Sequence, residues 1–489
     1  MKFLKILSIS LLSTLLSSGC DDFLDLSPIS EETSDVAYDN AGQIEAALTG
    51  AYESFQAEYY VWDNVLFQDV RSDNHYAGGD NPEIFQIDWL TISSTNSRLF
   101  TNWSNIYNAI AKANVVIEKA PLVSDPNLSE ARREQIIAEA YFLRAFHYYT
   151  LVNKWGGIPL VLNFTSSADP EDTQVPRSSV EVIYTQILKD LENAIAGLPD
   201  TYGADAAINK ARATSGAANA LAAKASLQRP NPDFDAALGY IELVESSSAG
   251  YRLINYNELF DGNNYNNAES ILEVQYLGGN EGNFGPQLVL PPSISGDSWR
   301  KFVTPSQDLI NAYNSEGDLI RRDASVLFEA VNWVDEYWGN APGSAIPFAY
   351  KWKNADSWAS SNRPYLLRYG DIVLLKAEAL TGLNRLGEAA TEVNRIRNRV
   401  NLNDLPPSVS SDQSSMRSAI LKERRLELSQ EAQRWDDLVR YGEVVNVMNS
   451  LNEIDLRTGS PTDYSMDASK ILLPIPQEEL DRNPKLDPN

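Results

Sequence analysis

The stretch "EQIIAEAYFLRAFHYYTLVNKW" (residues 134–155) decides the fold. Its apolar residues fall on more than one side of a helix, and a helix without a single polar face has to be sandwiched between others. Working outward, "NWSNIYNAIAKANVVIEKA" (102–120) sets Trp103, Ile106, Tyr107, Ile110, Ala113 and Ile117 three and four apart, the spacing of an amphipathic helix. "RSSVEVIYTQILKDLENAIAGLP" (177–199) opens on a capping box, Ser178 with Glu181, and stops at Gly197-Leu198-Pro199. "RATSGAANALAAKASLQ" (212–228) is alanine-rich and suited to close approach, with "FDAALGYIELVESS" (234–247) as its antiparallel mate. A further pair follows at "GDIVLLKAEALTGLNRLGEAATEVNRIRNRV" (370–400), with small residues placed as in tetratricopeptide repeats but at irregular spacing. The fold class is mainly α: a tetratricopeptide-like scaffold of helix pairs with a loop-rich portion and few short strands, at "GIPLVLNF", "SILEVQY" and "ILLPIP".

The helical pattern thins between 278 and 364, where "GGNEGNFGPQLVLPPSISGDSW" and "NWVDEYWGNAPGSAIPFAYKWKNADSW" concentrate Gly, Pro, Asn and aromatic residues. Between them Thr304-Pro305-Ser306-Gln307 reads as a helix start, with a capping hydroxyl, Pro at the first helical position and Gln three beyond the cap. Long loops in a compact protein bind something or are disordered, and clustered Trp and Tyr argue against disorder. The organisation predicted is a signal segment 1–19, a tether 20–40, a helical part 41–277, a ligand-binding portion 278–364 and a helical part 365–489, with 20–489 one body.

The only cysteine, Cys20, follows a positive start at Lys2 and Lys5, an apolar run from Ile6 to Leu16 and the small residues Ser17-Ser18-Gly19. That is the layout of a secretory signal, too short to span a bilayer. Signals ending at Cys resemble those of bacterial lipoproteins, in which the Cys carries the lipid, although Ser17 stands where Leu is usual. The bland reading is an ordinary cleaved signal with a free Cys nearby. Several acyl chains at about 0.8 kcal/mol per buried methylene would moor a domain without a spanning helix. Without residues 1–19 the chain keeps 38 basic and 67 acidic residues, a net charge of −29. So acidic a surface repels nucleic acid and anionic headgroups.

The segments "AEAYFLRAFHYYTLVNKWGGIPLV", "LRYGDIVLLKAEAL", "EVNRIRNRV", "ILKERRLELSQEAQRWDDLVRYG" and "LLPIPQEELDRNP" resemble, in order, the signatures of the SusD/RagB family. So do "CDDFLDLSP" and "RSDN" followed by "WSNIYNAIAKAN". The resemblance implies a lipoprotein on the outer face of the outer membrane, lipidated at Cys20 and addressed there by Asp21 and Asp22. It implies a partner, a SusC-like TonB-dependent transporter, and a captured nutrient, an oligosaccharide or, as in RagB-like members, a peptide.

No motif supports catalysis. There is no nucleophile elbow, zinc-protease helix or phosphate loop, and no cofactor or metal is called for. In "ERRLELSQEAQRWDDL", Leu421, Leu428, Ala432, Trp435 and Val439 form one stripe, with Glu423, Glu427, Glu431 and Arg434 beside it. Such acids could serve glycoside hydrolysis, but one helix offers no opposed faces for sugar and water, and an ion-pair network is the better reading. Glu378 reads the same way. His147 sits in an apolar helix and reads as core; His75 lies in a polar stretch where a binding role is open.

Binding has better material. Sugars rest their C–H faces on flat rings and need amide, carboxylate or guanidinium partners for their hydroxyls. Three loop regions offer this: Asp73, Asn74, Tyr76, Asn81 and Trp89; Asn283, Phe284, Trp299 and Arg300; and Trp333, Tyr337, Trp338 and Trp358. Trp103, Trp155 and Trp435 fall on helical stripes and belong to the core.

Overall fold

The computed structural model describes residues 38–165, 167 and 169–489. The signal segment, Cys20, Asp21, Asp22 and most of the tether lie outside the described residues. Helices α1 (Ala41–Tyr52), α2 (Pro82–Asp88), α3 (Ser97–Lys119) and α4 (Glu130–Trp155) are followed by α5 (Val180–Gly197), α6 (Ser215–Gln228) and α7 (Phe234–Ser246). After the loop-rich portion, which carries α8 (Gln307–Glu316), come α9 (Tyr369–Gly382), α10 (Leu386–Arg399), α11 (Gln413–Leu428) and α12 (Arg434–Tyr441). Most long helices pack most heavily on a chain neighbour, α3 on α4, α4 on α5, α6 on α7 and α9 on α10, whereas α11 packs chiefly on α9.

The stack explains the opening stretch. α4 lies between α3 and α5 and also touches α1 and α6, so its apolar residues are buried all round. Trp103, Trp155 and Trp435 are core residues, as predicted, and the first two meet edge-on at 5.3 Å. His147 is core too, its Nδ1 2.7 Å from the Tyr60 hydroxyl. α6 is buried along almost its whole length, and Gly216 has no room for a Cβ beside the Tyr251 ring.

The strands are all two-stranded antiparallel pairs: β1 (His75–Tyr76) with β5 (Thr304–Pro305), β2 (Ile158–Pro159) with β3 (Arg177–Ser178), β4 (Ser270–Glu273) with β8 (Tyr365–Arg368), and β6 (Val326–Ala330) with β7 (Ala345–Ala349). Two caps move. Ser179, not Ser178, caps α5, because Ser178 pairs with Ile158 in β3. Ser306 caps α8, because Thr304 and Pro305 are drawn into β5. The run at 471–476 forms no strand.

The stretch 423–438 is not one helix. It breaks after Leu428, and Gln430 and Ala432 take left-handed φ of 65° and 56° before α12 begins. The Asp69 carboxylate accepts both N–H groups, at 3.0 and 2.9 Å, and so pins the break. Arg434 therefore reaches Asp73 at 2.7 Å instead of Glu431. Glu427 is wholly buried among Arg368, Arg321 and Arg399, and Glu378 is clasped by Arg440. These carboxylates are the ion-pair network the residue pattern suggested.

Candidate functional site

The loop after β1 and the loop before β5 cross in contact. A Cβ on Gly78 would stand 2.0 Å from the Lys301 carbonyl oxygen, and one on Gly79, at φ 71°, 2.5 Å from the Phe302 ring. Glycine alone allows both the approach and the backbone. The Phe302 ring in turn lies 5.3 Å from Trp299 and 5.9 Å from Trp62, forming a row of three rings. Arg98 covers Trp62 at 4.7 Å, and the Lys301 ammonium stands 3.8 Å from the Trp299 ring.

The third loop, between β6 and β7, is tied to the other two. Asp335 accepts the Tyr76 hydroxyl at 2.9 Å and the backbone N–H groups of Tyr337 and Trp338 at 3.0 and 3.2 Å. Burial pushes its carboxyl up from the ordinary range despite these donors. Tyr76 and Tyr337 stack face to face at 3.8 Å. Arg300 donates to the Val334 carbonyl oxygen and to Glu336 at 2.6 Å. Trp333 and Trp338 pack on Val331, Ile346 and Phe348, and neither indole N–H has a hydrogen-bond partner.

The structure thus joins the three predicted regions but gives their residues different places. Trp299, Arg300, Trp333 and Trp338 are half-buried along the joined loops. Trp89 is half-buried, with one face on Phe85 at 5.0 Å and Arg457 over the ring at 3.8 Å. Asn81 caps α2 through the N–H of Glu83. Five candidates are corrected, since burial and existing partners leave them no surface for a ligand. Asp73 is clamped by Arg434 and Arg425, Asn74 by Arg425 and Asp69, and Tyr76 and Tyr337 by each other. Asn283 is consumed by Asn362 and the Gly285 N–H. His75 is likewise buried in β1. Phe284 and Trp358 form a separate corner, where Asn283 and Ser360 exchange backbone bonds at 2.8 and 3.1 Å. There Asp356, Ser357 and Trp358 take successive left-handed φ of 44°, 54° and 76°, holding the Trp358 ring 50 % exposed.

Trp62, Phe302, Lys301, Arg98 and Asp335 were not among the candidates. Phe302 carried a signal, an aromatic three residues after Trp299, whereas Trp62 and Asp335 carried none. Trp62, Lys301 and Asp335 are themselves buried and serve as supports, so what the loops leave accessible is the half-buried Trp299, Phe302 and Trp338 with Arg300 and the exposed Glu336, a mixture suited to reversible capture. Among the described residues no group of three or more His, Cys, Asp or Glu is placed to hold a metal ion, and no helix is long and apolar enough to cross a membrane.

Two family models match the chain. One, described as starch-binding associating with outer membrane, matches residues 22–227; the other, for the SusD family, matches 330–489. SusD-like protein P2 of Formosa agariphila is 28% identical over all of this chain and 99% of its own length. The starch-binding protein SusD of Bacteroides thetaiotaomicron is 24% identical over 100% and 99%. Among solved structures, a laminarin binding SusD-like protein superposes with a TM-score of 0.74 at 26% identity, over 92% of this chain and 99% of that one. A SusD homolog from Bacteroides thetaiotaomicron superposes at 0.78 with 22% identity, over 94% and 99%, and speaks for the fold alone.

Proposed function

Because this chain belongs to the SusD/RagB family, we propose that it captures an oligosaccharide at the cell surface and hands it unaltered to a SusC-like TonB-dependent transporter. Outer-membrane association and glycan binding for uptake are what the family describes. We further infer the transporter partner, a lipid on Cys20 and a noncatalytic role.

One observation carries it: three loops converge, tied together by Asp335 and Arg300, and the rings of Trp299, Phe302 and Trp338 on them stay half-buried. Rings held this way can take the flat face of a sugar, with Arg300, Glu336 and Asp297 in reach of hydroxyls. The paired, buried state of Glu423 and Glu427 removes the carboxylates that a hydrolase reading would have used. Laminarin, bound by a relative of similar fold, is the first glycan to try.

Affinity electrophoresis and calorimetry of the purified chain against laminarin, starch and other neutral polysaccharides, with peptides as controls, test the reading. Binding to a glycan that is lost in Trp299→Ala/Trp338→Ala supports it. Binding to peptides alone, or release of sugar products on long incubation, overturns it. Metabolic labelling with a fatty acid in wild type and Cys20→Ala tests the mooring.

A further inference from the structure

Two hollows flank α1, lined by none of the three loops just described. The larger holds about 800 Å³ between α1 and α3, with Ala47, Gly50 and Ala57 along one side and Asn105, Asn108 and Ala111 along the other. Small side chains make it a slot. The Asn105 and Asn108 amides, one turn apart on α3, have no partner among the described residues. The smaller hollow, about 410 Å³, lies between the end of α1 and β4 and is mostly apolar, walled by Tyr52, Phe55, Val274 and Leu366. Glu273 also lines it; the residue is 2 % exposed and its Oε2 has no partner.

Gly50 borders both hollows. It stands inside α1, where glycine is less stable than alanine by about 0.5–1 kcal/mol. A Cβ there would meet nothing within 4 Å, so no neighbour in the described fold excludes a side chain. Such a glycine is accounted for if another segment crosses α1 at that point. Where the chain enters the fold identifies the segment. Tyr38, the first described residue, lines the slot, so residues 20–37 are joined to it covalently, at an effective concentration that a separate partner does not reach.

The sequence of that segment follows the hollows in order. Counting back from Tyr38, "SEETSD" (30–35) is small, polar and acidic, and "FLDLSPI" (23–29) is rich in large apolar residues. The first run suits the slot, where Lys112 is 45% exposed and the two amides are free; the second suits the rings beyond Gly50. Residues 23–37 reach about 50 Å when extended, against about 18 Å for the length of α1. We propose that residues 23–37 dock across α1, through the slot and over Gly50 into the apolar hollow. Asn105, Asn108 and Glu273 take backbone groups of the segment, Lys112 faces Glu31, Glu32 and Asp35, and Phe23, Leu24 and Leu26 fill the apolar end. Only residues 20–22 then remain as a free leash. On the reading that Cys20 carries a lipid, docking turns the α1 side of the body toward the membrane; the docking itself does not depend on that lipid.

Maleimide labelling tests this on the chain from residue 20 with Cys20→Ala, which carries no other thiol. Ala111→Cys, at an exposed position in the slot, is the reporter. It should label slowly, and about tenfold faster once Phe23, Leu24, Leu26 and Ile29 are all replaced by Ser, as for a segment docked about nine-tenths of the time. Gly50→Phe, whose ring blocks the crossing, should give the same release with an unchanged urea midpoint. If that midpoint drops, the serine variant alone decides, since it alters nothing after Tyr38. Lys189→Cys, exposed on α5, should label at one rate in all three chains. Equal labelling of Ala111→Cys with and without the serine substitutions overturns the proposal. Protection kept in a folded Gly50→Phe overturns the crossing point. Protection that grows with protein concentration would assign the slot to a second copy, and protection seen only with the transporter co-purified would assign it there; either result overturns the proposal.

Discussion

At the end of α11, Glu427 is wholly buried and receives Arg368 at 2.8 Å, Arg321 at 3.3 Å and Arg399. On the loop face, Arg300 meets Glu336 at 2.6 Å with both side chains partly in solvent, 29% and 43% exposed. The same residue types thus do opposite work. In the scaffold each charge has several partners, and Glu269, Glu423 and Glu431 extend the network to Arg397 and Lys351. That multiplicity compensates desolvation and fixes how α9, α10 and α11 meet. On the loop face a few bonds hold the rings of Trp299, Phe302 and Trp338 in place and leave them half-buried. The scaffold is built to be unresponsive, and the loops are built to keep surface available.

If this contrast is right, the scaffold should fail first when a partner is removed. Glu427→Ala strands three guanidinium groups in the interior and should cost about 3–5 kcal/mol of stability in urea unfolding. The fraction that remains folded should bind glycan as the wild type does. A loss of affinity in the folded fraction would break the separation of the two regions.

Asp335→Ala probes the seam. It frees the Tyr76 hydroxyl and two backbone N–H groups, and with donors costing about 1–3 kcal/mol each when left unpaired, partial rehydration should bring the loss to about 2–3 kcal/mol. Here stability and glycan affinity should fall together, because the residue both anchors the third loop and positions Trp338. Trp299→Ala should show the pure loop behaviour. Affinity should weaken by about 1–2 kcal/mol, the contact area of one half-buried ring, while the urea midpoint stays put.

The helical scaffold was legible because burial imposes periodicity: residues 134–155 could hardly pack except between neighbours. The network was legible as chemistry, since acids spaced along a helix with arginines nearby have one economical outcome. The break at Ser429–Gln433 was not, because what stops the helix is Asp69, more than three hundred positions away. Loop residues failed for the same reason. Asp73 and Asn74 looked like exposed polar ligands, yet Arg425 and Arg434 reach them from the far end of the chain. Trp62 lies in a helical run with no local mark, and only Phe302 crossing beneath Gly79 brings it into the ring row.

The last and smallest expected effect is in pH, where the two regions should slope in opposite directions. Burial works to raise Glu427, but Arg399, Arg368 and Arg321 outweigh it and hold the carboxyl well below the usual range. Burial likewise opposes Arg425 and Arg434 at Asp73, which is nonetheless lowered to about 2. Acids lowered in the fold contribute stability above their unfolded values and lose it as pH falls through the folded ones, so the scaffold weakens in acid. Behind the loops the sign reverses. Burial raises Asp88, which accepts the Ala77 N–H at 3.0 Å, to about 8, and raises Glu453, beside Tyr337, to about 7. Their contribution is complete below the unfolded carboxyl range and is lost as pH rises through 7 and 8. Each group contributes a slope of up to about 1.4 kcal/mol per pH unit between its unfolded and folded values, which fades as pH passes the folded one. Urea unfolding and glycan affinity measured from pH 5 to 9 should therefore both decline between pH 5 and 8 and level off above that. Glu453→Gln, which cannot ionise, should flatten that decline while leaving the acid limb in place. A profile unchanged by Glu453→Gln would mean that the decline does not arise behind the loops.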